Sequence, residues 1–138
     1  MTTATRFEDL DVWQNAKELT SLIYRLSAAG SFARDFGLRD QMRRAAVSIM
    51  SNIAEGFESQ TQGMFIQYLA RAKGSAGELR AQLYIALEQE YMTKDEFQSV
   101  FLLAETCGRQ LASFIRYLES QPNSRRVREE GVHYDIQP

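Results

Sequence analysis

The strongest constraint in this chain is periodic. Between Leu38 and Gly56 the apolar side chains Leu38, Met42, Ala46, Ile49 and Ile53 recur at steps of three and four. That spacing gathers them on one face of an α-helix and would scatter them across both faces of a strand. A second row runs beside the first: Gln41, Ala45, Ser48, Asn52 and Glu55, short or uncharged apart from the glutamate. Arg43, Arg44, Val47 and Ser51 take much of the remaining surface. A plain surface helix needs one apolar face and one charged face. A row of hydrogen-bonding groups next to the core seam predicts the central helix of an all-α domain.

The same period recurs in three further segments. Phe7 to Trp13 opens the first helix, with Asp9 or Asp11 available to cap it and Asp11 and Gln14 at capping-box spacing. Trp13, Ala16, Thr20, Ile23 and Ser27 share an arc, and Gly30 offers the left-handed residue that ends a helix. Ser31 to Gly37 reads as a connector whose Phe32 and Phe36 fold back onto the bundle. A third helix is predicted over 64–90, with Phe65, Leu69, Ala72, Ala76, Leu79, Leu83 and Leu87 on its apolar face. Arg71, Ser75, Glu78 and Gln82 form a polar stripe on it, and Ala70, Gly74, Gly77 and Ala81 a seam of small residues. Glycine inside a helix costs about 1 kcal/mol against alanine. Two on one seam therefore predict close approach by another helix, of the same chain or of a neighbouring subunit. Thr93 and Glu96 form a capping box for a fourth helix, along which Phe97, Val100, Ala104, Cys107, Leu111, Ile115 and Leu118 repeat until Pro122. Four amphipathic helices joined by short loops predict an all-α, antiparallel up-down-up-down four-helix bundle over residues 1–120. Residues 121–138, with the cluster Arg125, Arg126 and Arg128, read as a flexible polar tail.

Few chemistries survive inspection of the residue types. The formal charge of −2 is near neutral, so net charge neither demands nor forbids an anionic partner. Cys107 is the single cysteine, which leaves no intrachain disulfide and, on an apolar stripe without a histidine to activate it, reads as an inert core thiol. His133, the single histidine, lies in the tail, so neither a bundle-core di-metal site nor a zinc site can be assembled. There are no convincing strands and no glycine-rich loop after one, hence no phosphate cradle of that kind, no cofactor and no identifiable small-molecule substrate. No apolar run approaches the roughly 18 residues of a membrane span. Met1 to Arg6 lacks the apolar core of a secretory signal, and the expected location is the cytoplasm.

Glu55 and Glu78 are the carboxylates best placed for acid–base work, but nothing resembling a nucleophile or an oxyanion site accompanies them. Gln41, Ser48, Asn52, Glu55, Ser75 and Glu78 are therefore read as a structural polar network or interface, with no catalytic residue assigned. Arg39, Arg43 and Arg44 on the second helix and Lys73 and Arg80 on the third are candidates for contacts to nucleic-acid phosphates.

Three ordered motifs resemble a known family. Phe7-x-x-Leu10-x-Val12-Trp13-Gln14-x-Ala16 resembles the opening of the bacterial four-helix-bundle proteins named for intervening sequences in large-subunit ribosomal RNA genes. Gln41-x-x-Arg44-Ala45-Ala46-x-Ser48-Ile49-x-x-Asn52-Ile53-Ala54-Glu55-Gly56 resembles that family's central signature, and Ala72-x-Gly74-Ser75-x-x-Glu78-Leu79 its third-helix signature. The resemblance implies a four-helix bundle that assembles as a homopentamer. A similar branch, the accessory variability determinants of diversity-generating retroelements, implies a barrel-shaped pentamer that binds nucleic acid and a reverse transcriptase through a basic surface. The family carries no catalytic residues to transfer. The function expected is that of a non-enzymatic oligomer binding RNA or a nucleoprotein, with an oligomeric protein-interaction scaffold as the alternative.

Overall fold

The computed structural model describes residues 2–122 and 132–134. Its order is β1 (Thr2–Ala4), α1 (Asp11–Leu26), α2 (Phe36–Glu58), α3 (Gln62–Glu88), α4 (Lys94–Glu119) and β2 (Val132–Tyr134). Each helix packs against its two neighbours in a closed cycle, α1 on α2 and α4, and α3 on α2 and α4. Start-to-end contacts make every neighbouring pair antiparallel. Arg43 near the start of α2 reaches Ser27 beyond the end of α1, and Gly56 near the end of α2 meets Phe65 and Tyr68 near the start of α3. Gln62, at the start of α3, donates its amide to the Leu118 carbonyl at the end of α4, and Asn15 of α1 donates to Gln110 of α4. The four-helix bundle expected from the periodicity is the fold.

The core is built by the stripes that defined the helices. Met42, Ala46, Ile49 and Ile53 of α2 and Phe65, Leu69, Ala72, Ala76, Leu79 and Leu83 of α3 are fully buried, with Val100, Ala104, Cys107, Leu111, Phe114 and Leu118 opposite them on α4. Burying a large aliphatic or aromatic side chain contributes about 1.5–3 kcal/mol, so these stripes, more than local propensity, hold the helices. Thr20 of α1 stays satisfied inside the core by donating to the Ala16 and Ala46 carbonyls.

The predicted cap of α4 is formed, and α3 carries a threonine cap as well. Thr61 Oγ1 accepts from the Met64 amide. The Thr93 hydroxyl accepts from the Glu96 amide while the Glu96 carboxylate accepts from Thr93 N–H. At the start of α1 the outcome differs. Leu10 occupies the cap position without a side-chain bond, and Asp11 is already the first helical residue. Gln14 reaches back to the Glu8 carbonyl instead of boxing with Asp11. Val12 and Leu19 take the core positions of α1, while Trp13 sits at its edge against Phe7, ring to ring at 5.1 Å. The helix ends at Leu26, and Gly30 adopts φ +59° in the turn beyond.

The α1–α2 connector splits its two phenylalanines. Phe32 is fully buried and stacks on Tyr91 at 5.0 Å. Phe36, expected to fold back, is 63% exposed because it is the first residue of α2 and points outward under the Arg39 guanidinium. Asp35 joins the two loops at this end: one carboxylate oxygen caps α2 through the Leu38 amide and the other accepts from the Tyr91 hydroxyl at 2.8 Å. That bond, then burial and the charge of Asp35, raises the Tyr91 pKa above 10.0.

The N-terminal lead-in pairs as β1 with β2 in an antiparallel ribbon of three residues a side, Thr3 opposite His133. The remainder of the expected tail, including Arg125, Arg126 and Arg128, lies outside the described residues.

Candidate functional site

The polar rows of α2 and α3 do face each other, but only their middle is joined. Ser48 and Ser75 share a hydroxyl–hydroxyl bond of 2.9 Å. Asn52 donates to both the Ser48 carbonyl (2.8 Å) and its hydroxyl (3.0 Å). Gln41, Glu55 and Glu78 lie on exposed flanks of the same rows and make no hydrogen bond or ion pair among the described residues. From the Ser48–Ser75 crossing, Glu55 lies seven residues along α2 and Glu78 three residues along the antiparallel α3, in opposite directions. At 1.5 Å per residue the two carboxylates are offset by about 15 Å along the bundle. They do not form a pair.

The small-residue seam is on the outside. Ala70, Gly74 and Ala81 are exposed, and a Cβ built on Gly74 would meet nothing within 4 Å among the described residues. Gly77 is half-buried, with only the end of the Arg80 side chain near, at 3.8 Å. Within the chain, close approach of helices is found at Gly56 instead. A Cβ there would lie 2.9 Å from Phe65 Cδ1 and 2.9 Å from Tyr68 Cβ.

The five candidate cations fall on two different faces. Arg39 and Arg43 work within the fold at the α1–α2 end. Arg39 bonds to Asp40 and the Ala33 carbonyl, and Arg43 bonds to Ser27 while lying over the Tyr24 ring at 4.6 Å. Arg44 is exposed nearby on α2 and makes no ion pair among the described residues. Lys73 and Arg80 lie elsewhere, in an open groove of about 550 Å³ between α3 and α4.

That groove is the most coherent site on the molecule. Lys73 and Arg80 of α3 are joined by Arg109 of α4, against one carboxylate, Glu105. Its floor is short-sided on both helices: Ala70, Gly74 and Gly77 on α3, Gly108 and Ala112 on α4. Lys73 and Arg109 make no ion pair among the described residues, and the Nε of Arg80 is buried without a hydrogen-bond acceptor. Glu105, Gly108, Arg109 and Ala112 were not foreseen. Their recurrence at three and four on the helix-four arc beside the core stripe was available in the sequence, but the fact that this arc meets the small seam of α3 was not.

Burial first, and the charge of Glu18 second, push the Cys107 thiol up to about 12, leaving it protonated. Among the described residues no cluster of histidine, cysteine, aspartate and glutamate could hold a metal ion, and no helix is long and apolar enough to cross a membrane.

Fold and site together define an antiparallel four-helix bundle with three cations, Lys73, Arg80 and Arg109, lining an open groove between its last two helices. The chain belongs to the 23S rRNA-intervening sequence protein family, which it matches over residues 8–113. Its fold is similar to a solved protein from Bacteroides thetaiotaomicron, described as a protein with unknown function from the S23 ribosomal protein family. The two share 25% identity with a TM-score of 0.70, over 76% of this chain and 98% of the other. No curated protein matches the chain.

Proposed function

We propose that this protein is a cytoplasmic, non-enzymatic accessory factor that binds RNA, free or within a nucleoprotein, through phosphate contacts in the α3–α4 groove. One observation carries the reading: Lys73, Arg80 and Arg109 line a single groove against one carboxylate, with a floor of glycine and alanine. Missing side chains on the floor let a polyanion's backbone approach both helices, where the three cations can neutralise it. Such contacts position a strand without reading its sequence. Self-association as the homopentamer implied by the family resemblance would repeat the groove and turn a weak patch into avidity.

A gel-shift titration with single-stranded and structured RNA over a salt series tests this. Three neutralised phosphates per protomer predict log K falling with log salt at a slope of about −2 on a single strand. Replacing Lys73, Arg80 and Arg109 together by glutamate should abolish the shift while the protein stays folded. Unchanged binding by that variant refutes the site.

The outward strip Ala70, Gly74 and Ala81, exposed along α3, favours a second reading: an oligomeric scaffold that does not touch nucleic acid. Light scattering separates the two. If Gly74→Leu lowers the mass and wild-type protein shifts no RNA even at low salt, the scaffold reading replaces the first.

A further inference from the structure

Past the cationic groove, α3 and α4 carry aromatic side chains toward the same end of the bundle. One helical turn beyond Arg80 along α3 stands Tyr84, 51% exposed, and one turn before Glu105 on α4 stands Phe101, with Phe97 a turn before that. The three rings form a ledge across the two helices. Tyr84 meets Phe101 edge to face at 5.3 Å and Phe97 at 5.6 Å, and Phe97 stacks on Phe101 at 5.1 Å with 29° between planes. Phe97 and Phe101 are half-buried and fix the platform, while Tyr84 carries the open ring surface.

An aromatic ring open to water beyond a cationic groove is a combination that suits single-stranded nucleic acid. The cations follow the phosphates, and the π-face accepts any unpaired base. A duplex has its bases stacked inside and offers such a ledge nothing. From Ala70 to Tyr84 this face of α3 spans about 21 Å.

We infer that the ledge of Tyr84, Phe97 and Phe101 stacks an unpaired base of single-stranded RNA whose phosphates lie along Lys73, Arg80 and Arg109; the inference rests on the phosphate-binding reading of the same groove. It narrows the ligand from RNA in general to unpaired RNA, and makes Tyr84 its selectivity residue.

The test uses the full chain and a labelled 12-nucleotide RNA, single-stranded or annealed to its complement, read by fluorescence anisotropy. Wild-type protein should prefer the single strand. Tyr84→Leu keeps an apolar group on Phe97 and Phe101 but removes the ring. It should weaken single-strand binding by about 5- to 100-fold, leave duplex binding as it was, and leave the salt slope unchanged. Tyr84→Phe should bind like wild type. Equal wild-type affinity for strand and duplex, or no loss in a folded Tyr84→Leu protein, overturns the stacking role and leaves the phosphate contacts standing. A Tyr84→Leu protein that falls in mass by light scattering without losing RNA identifies the ledge as a subunit contact and also overturns it. No binding of either RNA by wild-type protein overturns both readings.

Discussion

Replacing Gly56 by alanine sets two effects of known sign against each other. In an open helix position the change stabilises, because alanine is the better helix former by about 1 kcal/mol. Gly56, however, lies where α2 packs tightly on α3: the new methyl would sit 2.9 Å from Phe65 Cδ1 and 2.9 Å from Tyr68 Cβ. Neither neighbour can swing aside. Phe65 is fully buried, held edge to face by Phe57 at 6.0 Å and Phe114 at 5.2 Å. Tyr68 Cβ is fixed to the backbone of α3, so relief requires the helices to separate. Overpacking of this kind costs about 1–3 kcal/mol, and the anchored neighbours place it in the upper half of that range. Net destabilisation should be about 1–2 kcal/mol. Gly74 supplies the control, since its Cβ would meet nothing within 4 Å among the described residues. Gly74→Ala should therefore stabilise by about 0.5–1 kcal/mol. Urea unfolding followed by circular dichroism, with both variants and wild type at one protein concentration, reads both numbers. A Gly56→Ala protein as stable as wild type would refute the argument that helix contact, and not helix termination, accounts for this glycine.

Two further perturbations test local features. Glu90 holds φ +59° at the end of α3, in a motif where Tyr91 N–H bonds to the Ala86 carbonyl and Glu90 N–H to that of Leu87. That conformation costs a residue with a Cβ about 1–2 kcal/mol, so Glu90→Gly should raise stability by about 0.5–1 kcal/mol after its added unfolded-state freedom; a lower thermal midpoint would contradict it. The Cys107 pKa near 12, against an ordinary 9.0, cuts the thiolate fraction at pH 8 by about a thousandfold. A thiol reagent should thus label native protein very slowly and urea-unfolded protein at once. The same shift holds stability intact below pH 9 and releases it as pH rises toward 12; rapid native labelling would show the thiol to be accessible.

Much of the fold was legible because helix pattern is local. The stripes Met42–Ala46–Ile49–Ile53 and Phe65–Leu69–Ala72–Ala76 needed only the 3.6-residue period to be assigned to a core. Thr93 declared its cap through Glu96, three residues on. The start of α1 misled for the same reason. Asp9 and Asp11 both suit a cap, and the choice fell to Leu10 because Phe7–Asp9 winds a short 3-10 turn that sets where the helix begins. The candidate site was legible only by halves. Lys73 and Arg80 stood out as cations, but so did Arg39 and Arg43, which the structure employs on Ala33, Ser27 and the Tyr24 ring.

By itself, the order of residues determined the helices, their buried faces and most of their ends, since each depends on groups within a few turns of one another. Tertiary packing decided everything that depends on two helices at once. It separated Glu55 from Glu78 because antiparallel helices carry residues on opposite sides of a crossing apart. It placed close backbone contact at Gly56 and left Gly74 in the open, although both are glycines inside helices. It brought Arg109 beside Lys73 and Arg80, and Tyr84 against Phe97 and Phe101, because only the pairing of α3 with α4 turns separate arcs into one groove.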